Sequence, residues 1–93
     1  MKRLTTLCDD DKIYVTKDID RESGEGYSGE AIEKLAKFEN LYDHLMIQHE
    51  KLPKELEALR SEGKIKSYGF RERFGQKLTV EAFLRLLKEF GIE

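Results

Sequence analysis

A long amphipathic pattern in the middle of the chain constrains its fold more than any other feature. Between Ser28 and Gly63, apolar residues recur at steps of three or four, the spacing of one buried helix face. The pattern predicts a helix over 28–62, with Ser28 as its N-cap and Gly63 just beyond its end. Its members are Ile32, Leu35, Phe38, Tyr42, Leu45, His49, Leu52, Leu56 and Leu59.

Pro53 lies inside this pattern and is the only proline of the chain. A proline within a helix removes a backbone hydrogen bond and clashes with the carbonyl one turn earlier, at a cost of ~3 kcal/mol. The apolar spacing nevertheless continues unchanged from Leu52 to Leu56, which a loop would have no reason to preserve. We predict one long helix bent near Leu52. The alternative is a pair of helices in which Pro53 starts the second.

The N-terminal segment favours strands. Arg3 to Cys8 and Lys12 to Lys17 are rich in Thr, Ile, Tyr and Val, and the Asp9 to Asp11 run between them suits a turn. The pattern predicts a β-hairpin over 1–17. A lone hairpin is marginally stable, so we expect it to pack on the long helix. The side chains available for that packing are Leu4, Leu7, Ile13 and Val15.

Residues 18–27 predict a loop. Asp18, Asp20 and Glu22 have the spacing that opens a calcium-binding loop, but Ser23 stands where such a loop requires glycine. Gly29 stands where it requires a bidentate carboxylate. The pattern therefore favours a solvated acidic loop over a metal site.

The C-terminal segment predicts short helices within 67–90. Ser67 suits the N-cap of the first helix, Gly75 interrupts it, and Thr79 suits the N-cap of the second. Gly91 follows the second helix, whose apolar residues cover much of its circumference and predict that it is largely buried. The elements together predict one small α+β domain over 1–93, mainly α, with a hairpin, a long helix and C-terminal helices.

The composition limits the function classes. Charged and apolar residues each make up 39% of the chain, a balance typical of a folded, helix-rich protein. Cys8 is the only cysteine, which excludes an internal disulfide and a cysteine-based zinc site within one chain. No apolar run has the length of a signal peptide or a membrane span, which predicts a cytoplasmic protein without membrane contact.

The sequence contains no recognisable set of catalytic or metal-binding residues. His44 and His49 are five positions apart, whereas two ligands on one helix face need three or four. No phosphate-binding glycine loop or nucleophile with its base is recognisable, so we predict a protein without enzymatic activity, cofactor or metal. A site assembled between subunits around His44 or His49 is the remaining enzymatic alternative.

The last third of the chain is basic, with seven basic and four acidic side chains over 63–93. Basic and aromatic residues alternate there, a mix that holds phosphates and stacks bases. In the alternative, Tyr68, Phe70 and Phe74 are core anchors and the basic side chains face solvent. The predicted partner or phosphate contacts are Lys64, Lys66, Tyr68, Arg71, Arg73 and Lys77.

The apolar pattern of the long helix also predicts self-association, because it exceeds what a hairpin and short helices can cover. We expect a homodimer formed along this seam. His49 would then set its register, or else be an exposed imidazole without a role. In the alternative monomer, the chain folds back at Pro53 and packs Leu56 and Leu59 against Leu41 and Leu45. The predicted seam residues are Leu35, Phe38, Tyr42, Leu45, His49 and Leu52.

Several segments carry a family resemblance. The opening Arg3-Leu4-Thr5-Thr6 and the stretch 30–39, Glu-Ala-Ile-Glu-Lys-Leu-Ala-Lys-Phe-Glu, resemble small uncharacterised proteins of phages and prophages of Gram-positive bacteria. The segments 56–67 and 77–92 are also similar to stretches of such proteins. Asn40 and Leu41 depart from the family, in which a loop often follows the first helical motif.

The resemblance implies an origin in a mobile element and assigns no catalytic residue. By analogy with phage accessory proteins, including anti-CRISPR proteins, it implies a non-enzymatic protein that binds and inhibits a bacterial defence or host component in the host cytoplasm. The alternative is a protein that binds or sequesters a nucleic acid or nucleotide through its basic C-terminal third.

Overall fold

The computed structural model describes residues 1–8, 13–20 and 26–93. Its elements are β1 (Thr6–Cys8), β2 (Ile13–Val15), α1 (Glu30–Ser61) and α2 (Tyr68–Glu89). The predicted turn at Asp9 to Asp11 and the loop positions Glu22 and Ser23 lie outside the described residues. The chain divides into two compact units, Met1–Asn40 and Leu41–Glu93.

The predicted hairpin is confirmed, with shorter strands than expected. β1 and β2 pair antiparallel, with Thr6 opposite Val15 and Cys8 opposite Ile13. The expected packing of its apolar side holds only for Leu4, which precedes β1 and is buried. Leu7, Ile13 and Val15 are exposed instead.

The start of α1 differs from the prediction. The helix begins at Glu30, and Gly29 rather than Ser28 supplies the carbonyl that accepts the first helical bond, from the Glu33 N–H at 2.9 Å. The Ser28 carbonyl instead accepts from the Asp20 N–H at 2.7 Å. Ser28 is not needed as a cap because the Asp18 carbonyl accepts from the Ala31 N–H at 3.0 Å, satisfying one of the free donors of the first turn.

The prediction of one long helix through Pro53 is confirmed, because α1 runs unbroken from Glu30 to Ser61. The proline ring is exposed, while Leu52 and Leu56 on the neighbouring face are buried. Burying a leucine side chain contributes about 1.5–3 kcal/mol, so these two offset the missing backbone bond. The alternative in which the chain folds back at Pro53 is wrong.

Gly63 ends α1 as predicted. It has φ +74°, its N–H donates to the Arg60 carbonyl at 3.0 Å, and the Lys64 N–H donates to the Leu59 carbonyl at 2.9 Å. This pair of bonds is a Schellman motif, which needs a left-handed residue at its centre. The chain therefore reverses after α1 and leads into α2.

The prediction of two short C-terminal helices is wrong, since a single helix, α2, spans Tyr68–Glu89. Ser67 is its N-cap as predicted, with its hydroxyl oxygen accepting from the Phe70 N–H at 3.2 Å. Gly75 lies in the helix interior, and Thr79 is not a cap because its hydroxyl donates to the Gly75 carbonyl one turn earlier, at 3.1 Å. Gly91, at φ +80°, follows the end of the helix as predicted.

The core of the second unit lies between α1 and α2. Leu45, Leu52 and Val80 form a buried cluster, and the half-buried Leu84 and Leu87 pack against it. Leu52 is the most buried, at 1% exposure. The helix face of α1 that the sequence marked as apolar is thus covered by α2 over this part of the chain.

Candidate functional site

Several large apolar side chains of α2 and of its C-terminal end face solvent beside this core, although a solvent-facing helix surface is normally polar. Leu78, Ala82 and Leu86 follow one another at steps of four, Phe83 lies beside them, and Phe90 directly follows the end of the helix. The large side chains among them are 47–77% exposed. We call these five residues the outer face of α2. The prediction that this part of the chain is largely buried is wrong, since only Val80 is fully buried between Thr79 and Phe90.

An open groove runs along the second unit beside this face, with a volume of about 830 Å³. Its apolar lining is formed by Leu45, Leu52, Val80 and Phe83. Phe83 belongs to both the groove and the outer face of α2, so the two surfaces are continuous. The polar side chains that line the groove are His44, Gln48, Lys51, Glu55, Glu72, Arg73, Gln76 and Thr79.

Three charged side chains that line this groove, Lys51, Glu55 and Arg73, form ion pairs with one another. Glu55 accepts from the Arg73 Nε at 3.1 Å, and its other oxygen lies 3.4 Å from the Lys51 Nζ. Arg73 also donates from Nη1 to the Gly69 carbonyl at 3.2 Å. The Arg73–Glu55 pair joins α2 to α1, and the charges of Lys51, Glu55 and Arg73 partly neutralise one another. The groove therefore offers a ligand its apolar floor together with the other polar side chains of its lining, such as His44 and Gln48.

The predicted basic contacts fall into two groups. Arg73 and Lys77 face carboxylates of the chain itself, Arg73 as above and Lys77 donating to Glu81 Oε1 at 2.5 Å. The rest lie near the turn between the helices: Lys64, which pairs with Glu62 at 3.1 Å, Lys66, Tyr68 and Arg71. The structure therefore brings four of the six predicted residues near one exposed turn.

The aromatic residues of this segment differ in burial. Phe70 is buried and stacks on Phe74, with ring centroids 6.4 Å apart, while Tyr68 is 79% exposed. Arg71, near Tyr68 in sequence, donates to the Lys66 carbonyl at 3.2 Å. Of the three aromatic residues that one alternative made core anchors, Phe70 is buried, whereas Phe74 is 46% exposed and Tyr68 is available at the surface.

The Lys77 contact changes the titration of its partner. The hydrogen bond from the Lys77 ammonium lowers the pKa of the Glu81 carboxyl, and the positive charges of Lys77, His49 and Arg85 act in the same direction against partial desolvation. The charged form of Glu81 is therefore favoured in the folded chain.

Both histidines are exposed, and they line different grooves. His44 lines the groove described above, and His49 lies beside Tyr42, Met46 and Leu84. Within the described ranges, no group of three or more His, Cys, Asp and Glu side chains is placed to hold a metal ion.

The predicted seam residues are distributed over both units. Leu45 and Leu52 are buried within the chain itself, Tyr42 is half-buried and His49 is exposed. In the first unit Phe38 is half-buried and Leu35 exposed. The sequence argument overestimated the uncovered length of this pattern, because α2 is one long helix rather than two short ones.

Neither helix of the described chain has both the length and the apolar character needed to cross a membrane. Comparisons with protein families, with curated proteins and with solved structures find no match to this chain.

Proposed function

We propose that this chain acts by binding a partner protein through the outer face of α2. The observation that carries the proposal is the exposure of Leu78, Phe83, Leu86 and Phe90 on one side of a helix whose other side already packs in the core. Exposed large apolar side chains grouped along one helix are a feature of interaction sites on small proteins. A partner offering a hydrophobic groove would receive the helix through side chains at helical spacing.

The resemblance to phage accessory proteins indicates the kind of partner and the effect of binding. We infer that the partner is a bacterial defence or host protein and that binding inhibits it, as anti-CRISPR proteins inhibit their targets. The inference is an analogy of protein class and depends on the resemblance. The exposed apolar face supports the binding step of this function.

A capture experiment tests the proposal. The double substitution Leu78→Gln and Leu86→Gln removes apolar surface from the outer face while leaving the core untouched. Its matched control is Leu41→Gln with Ile47→Gln, which alters two similarly exposed apolar residues of α1. Tagged wild-type chain should retain a host protein from a bacterial lysate, the control should retain it equally, and the outer-face variant should lose it.

The biological arm uses the same variants. Cells expressing the wild-type chain should show weakened defence in a phage or plasmid challenge, and the outer-face variant should restore it. Equal retention by all three chains would refute the outer face as the site. A retained protein without any change in defence would leave binding intact and reject the inhibitory role.

Nucleic-acid binding at the turn between the helices is a second candidate. The observation that favours it is Tyr68, 79% exposed and close in sequence to Lys64, Lys66 and Arg71. An exposed ring beside cations can stack a base while the cations hold phosphates. Counterion release then requires affinity to fall with salt, by ~0.7–0.9 log units per log unit of salt for each phosphate contacted.

A salt titration tests this second candidate. Fluorescence anisotropy with single- and double-stranded probes should give a slope that decreases by about 1 for each lysine removed in Lys64→Ser and Lys66→Ser. Lys54→Ser with Lys88→Ser is the matched control and should retain the slope. A slope unaffected by salt, or probes that do not bind at low salt, would eliminate the candidate.

A further inference from the structure

The first unit carries a second apolar groove, independent of the outer face of α2. It has a volume of about 520 Å³ and lies between the segment before β1 and the first turns of α1. Leu4 is buried there, Ala31 and Phe38 are half-buried, and Leu35 is 52% exposed. The groove thus has a formed apolar floor with an accessible side chain beside it.

The rim of this groove is cationic. Arg3 and Lys34 line it, and the adjoining concave surface is lined by Lys37 with Lys34, Lys2 and Glu30. Lys2 is paired with Glu30 at 3.7 Å, but no carboxylate of the described residues forms an ion pair with Arg3, Lys34 or Lys37. Within the part of the chain that the structure describes, these three charges therefore have no carboxylate partner and can meet a ligand.

Neutral contacts within the unit position two of the cations. The Arg3 Nε donates to the Thr5 carbonyl at 3.1 Å, and its guanidinium lies over the Tyr14 ring, 5.6 Å from the centroid. The Lys34 ammonium donates to the Lys2 carbonyl. A carbonyl or an aromatic ring orients a cation without cancelling its charge, so both side chains keep donors for an anion.

We propose that this groove binds an acidic peptide segment whose apolar side chains enter between Leu4, Leu35 and Phe38. The proposal is based on charge complementarity. Carboxylates of such a segment would meet the three cations that no described carboxylate pairs with, while its leucine or phenylalanine side chains cover the apolar floor. The site is separate from the outer face of α2 and does not depend on the function proposed for that face.

The probe is a short fluorescein-labelled peptide in which Glu and Asp alternate with Leu and Phe, titrated with the full chain in an anisotropy assay. The double variant Arg3→Ser and Lys34→Ser should bind it about tenfold more weakly. Lys54→Ser with Arg60→Ser removes the same two types of charge from α1 of the second unit and should bind like wild type.

A second pair of variants tests the apolar contact. Leu35→Gln should weaken binding about fivefold, whereas Leu41→Gln, which alters a similarly exposed leucine, should leave it unchanged. Backbone amide shifts of the labelled chain should change at residues 3–5 and 31–38. These shifts keep the test valid if a variant folds poorly, because they are measured on the wild-type chain.

Three results would overturn the proposal. The first is wild-type affinity in both the Arg3/Lys34 variant and the Leu35 variant. The second is equal binding of a peptide in which Lys and Arg replace Glu and Asp. The third is binding to vesicles of phosphatidylglycerol without binding to the acidic peptide, which would assign the groove to an anionic lipid surface.

Discussion

Gly29 determines where α1 begins. Its φ of +124° is a conformation that side-chain-bearing residues rarely adopt, and its carbonyl accepts the first helical hydrogen bond. The backbone of residues 18–20 lies directly against it: a Cβ added at Gly29 would come within 2.7 Å of the Asp20 N and 2.8 Å of the Asp18 O. The sequence predicted a cap at Ser28 because capping preference is local, whereas this contact comes from a distant segment.

We therefore expect Gly29→Ala to destabilise the fold by at least ~2 kcal/mol, since backbone strain and overlap with backbone atoms add. Gly26→Ala is the matched control, because Gly26 has a similar φ of +130° but nothing within 4 Å of an added Cβ. Urea denaturation followed by circular dichroism measures both. Equal losses of unfolding free energy would mean that crowding at Gly29 contributes nothing.

The Lys77–Glu81 pair predicts a pH effect. The pKa of Glu81 is lowered in the folded chain. The stabilisation that the charged Glu81 carboxylate gives the fold is therefore fully present above the ordinary carboxyl pKa of about 4.3. That contribution is lost as pH falls through the lowered pKa of the folded chain. Replacing Lys77 by Gln should raise the Glu81 pKa in a carbon-detected NMR titration, whereas Lys54→Gln should leave it in place. An unchanged Glu81 pKa in the Lys77 variant would exclude the hydrogen bond as the cause.

Among the elements, α1 was the most predictable and α2 the least. The apolar steps from Leu45 to Leu56 persist across Pro53, and that persistence identified one helix correctly. In α2, Gly75 and Thr79 both have local preferences for helix ends, and these produced the wrong boundary. The burial of Phe70 before Gly75 and of Val80 after it favours a continuous helix, and this tertiary gain outweighs the local preference.

Gly75 should consequently be a weak point inside α2. It lies in the helix interior with nothing within 4 Å of an added Cβ, so Gly75→Ala should stabilise the chain by about 0.5–1 kcal/mol. Gly69→Ala is the comparison, because its added Cβ would lie 3.1 Å from Arg73 Nη1 and would displace the side chain that pairs with Glu55. A smaller gain is expected there. Thermal unfolding would contradict the prediction if Gly75→Ala lowered the melting temperature.

For the whole molecule, the sequence predicted the α+β class, the hairpin and the long helix, but not the surface proposed for binding. Heptad spacing identifies the α1 residues that favour burial, but it does not identify the element that covers them. Leu45 and Leu52 therefore looked like an oligomer seam, although α2 covers them. Conversely, the apolar circumference of α2 predicted burial, yet the second unit has no described element over Leu86. The charge pattern located the cations of the basic turn, whereas the apolar groove of the first unit depends on a tertiary contact between the segment around Leu4 and the start of α1, which local sequence patterns do not specify.

The small core makes the second unit sensitive to single substitutions. Leu52, at 1% exposure, contacts a cluster with few other fully buried members, so Leu52→Ala should cost about 2–5 kcal/mol through lost burial and the remaining cavity. Leu86→Ala removes the same atoms from a residue that is 51% exposed, and alanine is the better helix former. Its unfolding free energy should change by less than about 1 kcal/mol. Urea denaturation of both variants separates the two roles: similar losses would place Leu86 in a core of its own and would remove the outer face of α2 as a free binding surface.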